Sequence, residues 1–230
     1  MKTEQLRQKL MAALNAWIIL STAVIVTHGI LAGAGKGQVG GGMYGWGYLK
    51  AFTNLSNILA ALACGVVLSC NLRNIKNGTA ELPRAVLVLH YAATSAVGLT
   101  FVIVAGFLGP MFQLNGAGYF TMFSGDMFFF HFLNPVLCGV ELVLLEREHI
   151  LKVRDNFIAV IPTVLYSFLY AYMVVIAQKW SDFYNFTLGG HFEYTPAAML
   201  IMYLISFAVA LAQRKLHNKK VSANQHRLFG

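Results

Sequence analysis

Long stretches without a charged residue alternate with short basic segments along the whole chain. Asp, Glu, Lys and Arg are absent from 10–35, 51–72, 85–125, 156–178 and 194–213. An apolar helix of about 20 residues crosses the hydrocarbon core of a bilayer. The stretch 85–125 is long enough for two crossings, and it carries turn signals in its middle, Gly109-Pro110 and Gln113-Leu114-Asn115-Gly116.

The pattern therefore predicts an all-α polytopic membrane protein, a bundle of six transmembrane helices in a single domain covering 1–215. The predicted spans are about 12–34, 49–70, 84–108, 119–145, 157–178 and 195–213. Residues 216–230 form a short basic cytoplasmic tail, which we expect to be disordered or to lie on anionic lipid headgroups.

The composition excludes an ordinary soluble domain. Of the 230 residues, 57% are hydrophobic and 11% are charged, whereas a soluble domain carries about 25% charged residues. The net charge of +8 raises nucleic acid as a partner, but the basic residues lie between apolar spans and not in one stripe. We therefore expect membrane lipids as the surroundings, and no nucleic acid as a partner.

The basic residues also predict the orientation. Fourteen of the 17 Lys and Arg residues fall in the segments that share a side with the termini, and the other side holds only Lys36, Lys50 and Lys179. Loops rich in Lys and Arg stay in the cytoplasm. Both termini are accordingly predicted to be cytoplasmic.

Function is to be sought among the polar residues inside the spans, because such residues are costly in a bilayer. They are His28, Thr53, Asn54, Ser56, Asn57, His90, Asp126, His131, Asn134 and Glu141. By depth they form an outer group around Thr53 and His131, and an inner group in which His90 and Glu141 could pair with each other or with Arg84. The sequence contains no nucleotide-binding loop and no spacing typical of a metal site, so no cofactor and no metal are predicted.

Helical spacing gives the second and the fourth span one polar face each. These faces carry Thr53, Asn57, Ala60 and Cys64 in one span, and His131, Asn134, Cys138 and Glu141 in the other. If the faces meet, a hydroxyl, an imidazole and several carboxamides converge, which is the set that nucleophilic acyl transfer needs. In the alternative interpretation Asn54, Ser56 and Asn57 are contacts between helices. Asp126 is either a helix-start carboxylate or a partner for His131.

Two motifs resemble a known family. The stretch Tyr48-Leu49-Lys50-Ala51-Phe52-Thr53-Asn54-Leu55-Ser56-Asn57 and the stretch His131-Phe132-Leu133-Asn134-Pro135-Val136-Leu137, with Glu141 following, are similar to signatures of the androgen-induced-gene family. Its members are six-helix membrane proteins that include hydrolases of fatty acid esters of hydroxy fatty acids. The chain is most similar to their bacterial relatives of unassigned function.

The resemblance implies a threonine-dependent lipid ester hydrolase, with a fatty acyl ester as substrate and the bacterial inner membrane as its location. Thr53 is then the nucleophile and His131 its partner, near enough for a direct or a water-bridged hydrogen bond. Asn54, Asn57, Asn134, Asp126 and His28 are the candidate supporting residues.

Two rival functions stay open. A transport protein would use Asp126, His131 and Glu141 as a proton relay, although no inverted repeat supports it. A haem protein would use His28 with His131, or His90 with another ligand, as axial ligands. A six-span protein without enzymatic activity is the remaining alternative.

Overall fold

The computed structural model describes residues 2–32, 43, 45–79 and 81–229. Within these ranges the chain is all-α, without a strand, and six helices are long and apolar enough to span a membrane. They are α1 Lys2–Ala32, α2 Phe52–Asn77, α3 Arg84–Leu114, α4 Asp126–Leu145, α5 Val153–Ile176 and α6 Thr195–Phe229. The predicted all-α class with six apolar helices is confirmed, although residues 33 and 34 of the first predicted span lie outside the described residues.

The third helix is the centre of the bundle, because it packs against α2, α4, α5 and α6. Its middle carries an almost continuous run of buried residues, from His90 to Thr100. Small residues allow this close approach, as is usual between membrane helices. At Gly98 an added Cβ would lie 2.7 Å from the Gln213 amide of α6.

The third helix is longer than the sequence predicts. Gly109-Pro110 was expected to end it near 108, yet it continues to Leu114. A π-helical turn over Val104–Leu108 precedes Pro110. Proline cannot donate the usual backbone hydrogen bond, and the wider turn accommodates that loss without ending the helix. The reversal follows at 115–118, where Gly116 has φ of 77°.

The fourth helix begins at Asp126, seven residues later than the predicted start at 119. Tyr119–Phe123 is a separate 3-10 helix, and Gly125, with φ of 55°, separates it from α4. The later start places His131 five residues into its helix, roughly 7 Å along the axis. The helix also contains two π-helical turns, Phe129–Leu133 and Glu141–Leu145, and each includes a candidate residue.

The last helix extends beyond its predicted span. Residues from 216 onward, expected to be disordered or to lie on lipid headgroups, are helical and continue α6 as far as Phe229. The His217 ring is fully buried and lies 2.7 Å from the Leu142 carbonyl oxygen and 2.8 Å from that of His149. Asn218 forms two hydrogen bonds with the backbone of Leu151, both of 2.9 Å. These contacts with the last turn of α4 and with the segment after it hold the end of α6 in place.

Polar contacts mark the two ends of the bundle. At one end Arg7 pairs with Glu148, and Arg84 pairs with Asp155 at 2.6 Å. At the other end the Phe52 backbone N–H donates to the Tyr184 hydroxyl oxygen at 2.8 Å. Asn57, one turn after Thr53, contacts the carbonyl of Phe130, so Thr53 and His131 lie at the same end of the bundle. Which end faces the cytoplasm remains a prediction from the basic residues.

Candidate functional site

Thr53 lies in the first turn of α2, and its side chain is half-buried. The preceding residue, Ala51, has the extended backbone of a helix cap but offers no side-chain oxygen to the free N–H groups. The Tyr184 hydroxyl takes that place by accepting from the N–H of Phe52 at 2.8 Å. A residue from the loop between α5 and α6 thus fixes the helix start that carries Thr53.

Asp182 holds this loop in shape. Its carboxylate accepts hydrogen bonds from the Tyr170 hydroxyl at 2.7 Å, from the N–H groups of Phe186 and Thr187 at 2.9 and 2.7 Å, and from the Thr187 hydroxyl at 2.6 Å. Partial burial alone would raise the pKa of Asp182, but these hydrogen bonds outweigh it and hold the pKa below its ordinary value. The loop that positions Tyr184 is therefore organised around a carboxylate.

His131 is 3% exposed and lies in the π-helical turn Phe129–Leu133. Its Nδ1 is 2.6 Å from the Met122 carbonyl oxygen. A carbonyl oxygen only accepts, so Nδ1 carries the hydrogen and donates it. The other ring nitrogen, Nε2, then keeps its lone pair, which is the form of imidazole that can act as a base.

One carboxamide joins the backbone at Thr53 to the backbone at Phe130, the residue before His131. The Asn57 Nδ2 donates to the Thr53 carbonyl oxygen at 2.8 Å and to the Phe130 carbonyl oxygen at 3.2 Å. Among the described residues, however, the side-chain hydrogen bond of His131 goes to Met122 and not to Thr53. The expected direct contact is thus not found, and the water-bridged form remains a prediction.

The other predicted supporting carboxamides are engaged in structural contacts. Asn54 donates to the Tyr48 carbonyl oxygen at 2.5 Å, and Asn134 donates to Asn57 at 3.2 Å and to the Thr22 hydroxyl at 3.3 Å. Ser21 donates to the Asn134 side-chain oxygen at 3.1 Å. Asn57 and Asn134 join α1, α2 and α4, which agrees with the interpretation of Asn57 as a contact between helices. Their N–H groups donate to protein acceptors.

Asp126 and His28 form a pair of their own, with the carboxylate oxygen 3.1 Å from Nδ1. Asp126 begins α4, as one interpretation of the sequence expected, but its partner is His28 and not His131. The His28 side chain is 61% exposed, whereas His131 is buried. This difference in surroundings gives no support to a haem held between the two rings.

The predicted inner group is also present. His90 and Glu141 are both fully buried, and the His90 Nε2 lies 3.9 Å from the Glu141 Oε2. Arg84, the other expected partner, pairs with Asp155 instead. The three residues of the predicted proton relay have separate partners: Asp126 contacts His28, His131 contacts Met122, and Glu141 contacts Asn15. Among the described residues, no hydrogen bond links them into a relay.

Cys64 joins His90 and Glu141, which the sequence did not reveal. Helical spacing had placed Cys64 and Glu141 on the polar faces of their own spans. It did not predict that His90 on α3 lies between those two faces, because this depends on the order in which the helices pack.

No protein-family description, curated protein or solved structure matches this chain. The resemblance to the androgen-induced-gene family consequently rests on the two sequence motifs alone.

Proposed function

We propose that this protein is an integral membrane hydrolase of long-chain acyl esters, with Thr53 as nucleophile and His131 as base. The proposal adopts the family resemblance and places the protein in a bacterial inner membrane. Six apolar helices are compatible with the membrane location. The assignment of Thr53 and His131 as a catalytic pair depends on the groups that surround these two residues.

The observation that carries the proposal is the hydrogen bond from His131 to the Met122 carbonyl, 2.6 Å long. In hydrolases that use a hydroxyl nucleophile, a third group orients the imidazole and fixes which nitrogen is free. Met122 supplies such an acceptor here. It leaves the Nε2 of His131 as the nitrogen that can take a proton from a hydroxyl.

The position of Thr53 favours a developing negative charge. Thr53 is the second residue of α2, so it lies at the positive end of a 26-residue helix. The carboxamides Asn54, Asn57 and Asn134 are engaged elsewhere. The N–H groups of Phe52, Asn54 and Leu55 already donate to Tyr184 and Ala51, so the Thr53 N–H is the candidate oxyanion donor.

The chemistry follows from these two residues. His131 accepts the hydroxyl proton of Thr53 through a bridging water, and the oxygen attacks the ester carbonyl. The carbon–oxygen bond to the alcohol breaks, the alcohol leaves with the proton from the imidazole, and an acyl group remains on Thr53. Water then attacks the acyl group, with His131 again as base, and releases the fatty acid.

The surface beside His131 suits an acyl chain that arrives from the bilayer. Phe128 and Phe132 are 37% and 39% exposed, with ring centroids 5.6 Å apart. Phe132 also lies 6.0 Å from the ring of Phe101 on α3. An apolar aromatic surface next to a polar residue fits an amphiphilic ester better than a water-soluble one.

A fluorophosphonate activity probe tests the assignment on the full chain in detergent micelles. Labelling is expected in the native protein, to be lost in Thr53→Ala, and to persist at a reduced level in Thr53→Ser, which keeps the hydroxyl. Thr121→Ala is the matched control, since Thr121 lies at the same end but is exposed and bonded to the Ala117 carbonyl. Labelling that survives Thr53→Ala would disprove the nucleophile.

A further inference from the structure

Three helices bring three metal-binding side chains together in the interior of the bundle. The Sγ of Cys64 on α2, a ring nitrogen of His90 on α3 and a carboxylate oxygen of Glu141 on α4 all lie within 4.8 Å of one another. All three side chains are fully buried. Sulfur, imidazole nitrogen and carboxylate oxygen are the donor types that zinc accepts in proteins.

The polar atoms of this group lack the hydrogen bonds that burial normally requires. Among the described residues, neither ring nitrogen of His90 has a hydrogen-bond partner, and neither does the Oε2 of Glu141. The two face each other at 3.9 Å, which is too long for a hydrogen bond. Buried polar groups are nearly always paired, and orphaned ones indicate a missing water or ion.

We propose that Cys64, His90 and Glu141 bind one divalent transition-metal ion, with zinc as the expected metal. At zinc bond lengths of about 2.0–2.3 Å, ligand atoms of a tetrahedral site lie roughly 3.3–3.8 Å apart. The present separations need to shrink by about 1 Å, which small side-chain rotations supply. The ion would then occupy the space toward which the unpaired atoms of His90 and Glu141 point.

The charges of such a site balance in an apolar interior. A Cys64 thiolate and a Glu141 carboxylate carry two negative charges, which one divalent cation neutralises, whereas His90 contributes a neutral imidazole. On binding, metal–sulfur, metal–nitrogen and metal–oxygen bonds form, and the protons of the thiol and of any protonated carboxyl are released to solvent. A neutral cluster avoids the cost of a net charge inside the bilayer.

Two neighbouring residues adjoin the ligand group. The Asn15 Nδ2 donates to the Glu141 Oε1 at 2.5 Å and to the Met11 carbonyl oxygen at 2.8 Å, so it holds one carboxylate oxygen and leaves Oε2 facing His90. Partners of this kind orient the ligands in known metal sites. Cys138, one turn before Glu141, packs in the same buried cluster as Cys64, but it lies outside the ligand group, so water is the expected fourth ligand.

The site is separate from Thr53 and His131. Cys64 follows Thr53 by 11 positions in α2, which is roughly 16 Å along the helix. The metal proposal therefore does not depend on the hydrolase proposal, and either can fail alone.

Metal analysis of the full chain in detergent tests the proposal. After incubation with zinc and dialysis against metal-free buffer, mass spectrometry should find about one zinc per chain. Cys64→Ser, His90→Gln and Glu141→Gln should each lose most of it. Cys70→Ser and His28→Gln should retain it, because these residues lie outside the cluster. Substoichiometric zinc in the native protein, or full zinc in all three ligand variants, would overturn the proposal.

Cobalt provides a readout that does not depend on the ligand variants folding well. Co²⁺ added to the metal-free native protein should produce a thiolate-to-cobalt absorption band, which zinc then displaces. Asn15→Ala, which keeps every ligand, should weaken cobalt binding about 10–100-fold while the band remains at saturation. A native protein that gives no thiolate band with saturating cobalt would refute the site.

Discussion

The Asn134 carboxamide donates to the Asn57 side-chain oxygen at 3.2 Å, and both residues are fully buried. Asn57 lies one turn after Thr53, and Asn134 lies three residues after His131. The contact joins α2 to α4 directly beneath the two candidate catalytic residues. The relative position of Thr53 and His131 thus depends on a hydrogen bond between two carboxamides that do not take part in the proposed chemistry.

Asn134→Ala is expected to destabilise the bundle by about 1–3 kcal/mol, because Asn57, Thr22 and Ser21 lose a buried partner at once. Detergent unfolding followed by circular dichroism measures this change. Ser69→Ala serves as the control, since Ser69 is exposed and bonds only to the Gly65 carbonyl of its own helix. Equal stabilities of the two variants would contradict a structural role for Asn134.

Tyr184→Phe removes the acceptor for the Phe52 N–H but keeps the aromatic ring among its neighbours. Loss of a helix cap costs about 0.5–2 kcal/mol, so Tyr184→Phe is expected to destabilise the start of α2 by the same amount. Hydrogen exchange at residues 52–55 should accelerate in this variant. Tyr172→Phe, at an exposed tyrosine, should leave that exchange unchanged.

Acid should loosen the loop around Asp182. Hydrogen bonds lower the pKa of Asp182 in the folded protein, so its contribution to stability is complete above the unfolded value of about 3.9. The contribution is lost as the pH falls through the lower folded value. The protection of the Phe186 and Thr187 amides, measured relative to their intrinsic exchange rates at each pH, should therefore fall below pH ~4. Asp182→Asn should show faster exchange already at neutral pH, and a pH profile identical to the native one would count against this reasoning.

The termini are predicted to be cytoplasmic. A reporter fused to the C-terminus should be active only as a cytoplasmic reporter, and one inserted in the reversal at 115–118 should be active only as an external one. The reason is the distribution of basic residues: three Lys lie on the proposed outer side and fourteen Lys and Arg on the other, and the more basic side stays in the cytoplasm. An external C-terminus would place Thr53 at the cytoplasmic face.

The six helices were predictable because absence of charge over a bilayer's thickness is a property of composition, which needs no knowledge of packing. Helix ends were less predictable. Gly109-Pro110 is typical of a helix end, but the π-helical turn before Pro110 allows the helix to continue. The start of α4 depends on the backbone of Gly125, and the end of α6 depends on burial of His217 against residues more than sixty positions earlier.

The candidate sites depended on packing in the same way. Spacing placed Asn57 and Asn134 on the polar faces of their helices, and the faces do meet. It could not show that Asp126 pairs with His28, because that contact joins α1 to α4 across 98 positions. Nor could it bring His90 to Cys64, since the expected partners of His90 were Glu141 and Arg84 and no residue of the second span.

The pair of Arg84 and Asp155 should be essential to the opposite end of the bundle. The Arg84 guanidinium donates to Asp155 Oδ2 at 2.6 Å, and the Asp155 side chain is 2% exposed. The same oxygen accepts from the Lys152 N–H at 2.6 Å, so Asp155 also caps α5. Removing one partner of a fully buried ion pair costs about 3–5 kcal/mol, but Arg84 is 29% exposed, so the loss here is expected to be smaller.

Arg84→Met is therefore expected to destabilise the protein by about 1.5–3 kcal/mol, the range for a hydrogen bond to a charged group. The double variant Arg84→Met, Asp155→Asn should recover part of this loss, since asparagine leaves no unpaired charge and keeps an oxygen for the Lys152 N–H. Arg154→Met is the matched control, because Arg154 is 73% exposed and its Nε comes no nearer than 4.0 Å to the Asp155 carboxylate. Unfolding in detergent measures all three. Additive losses in the double variant would show that the two side chains do not act as a pair.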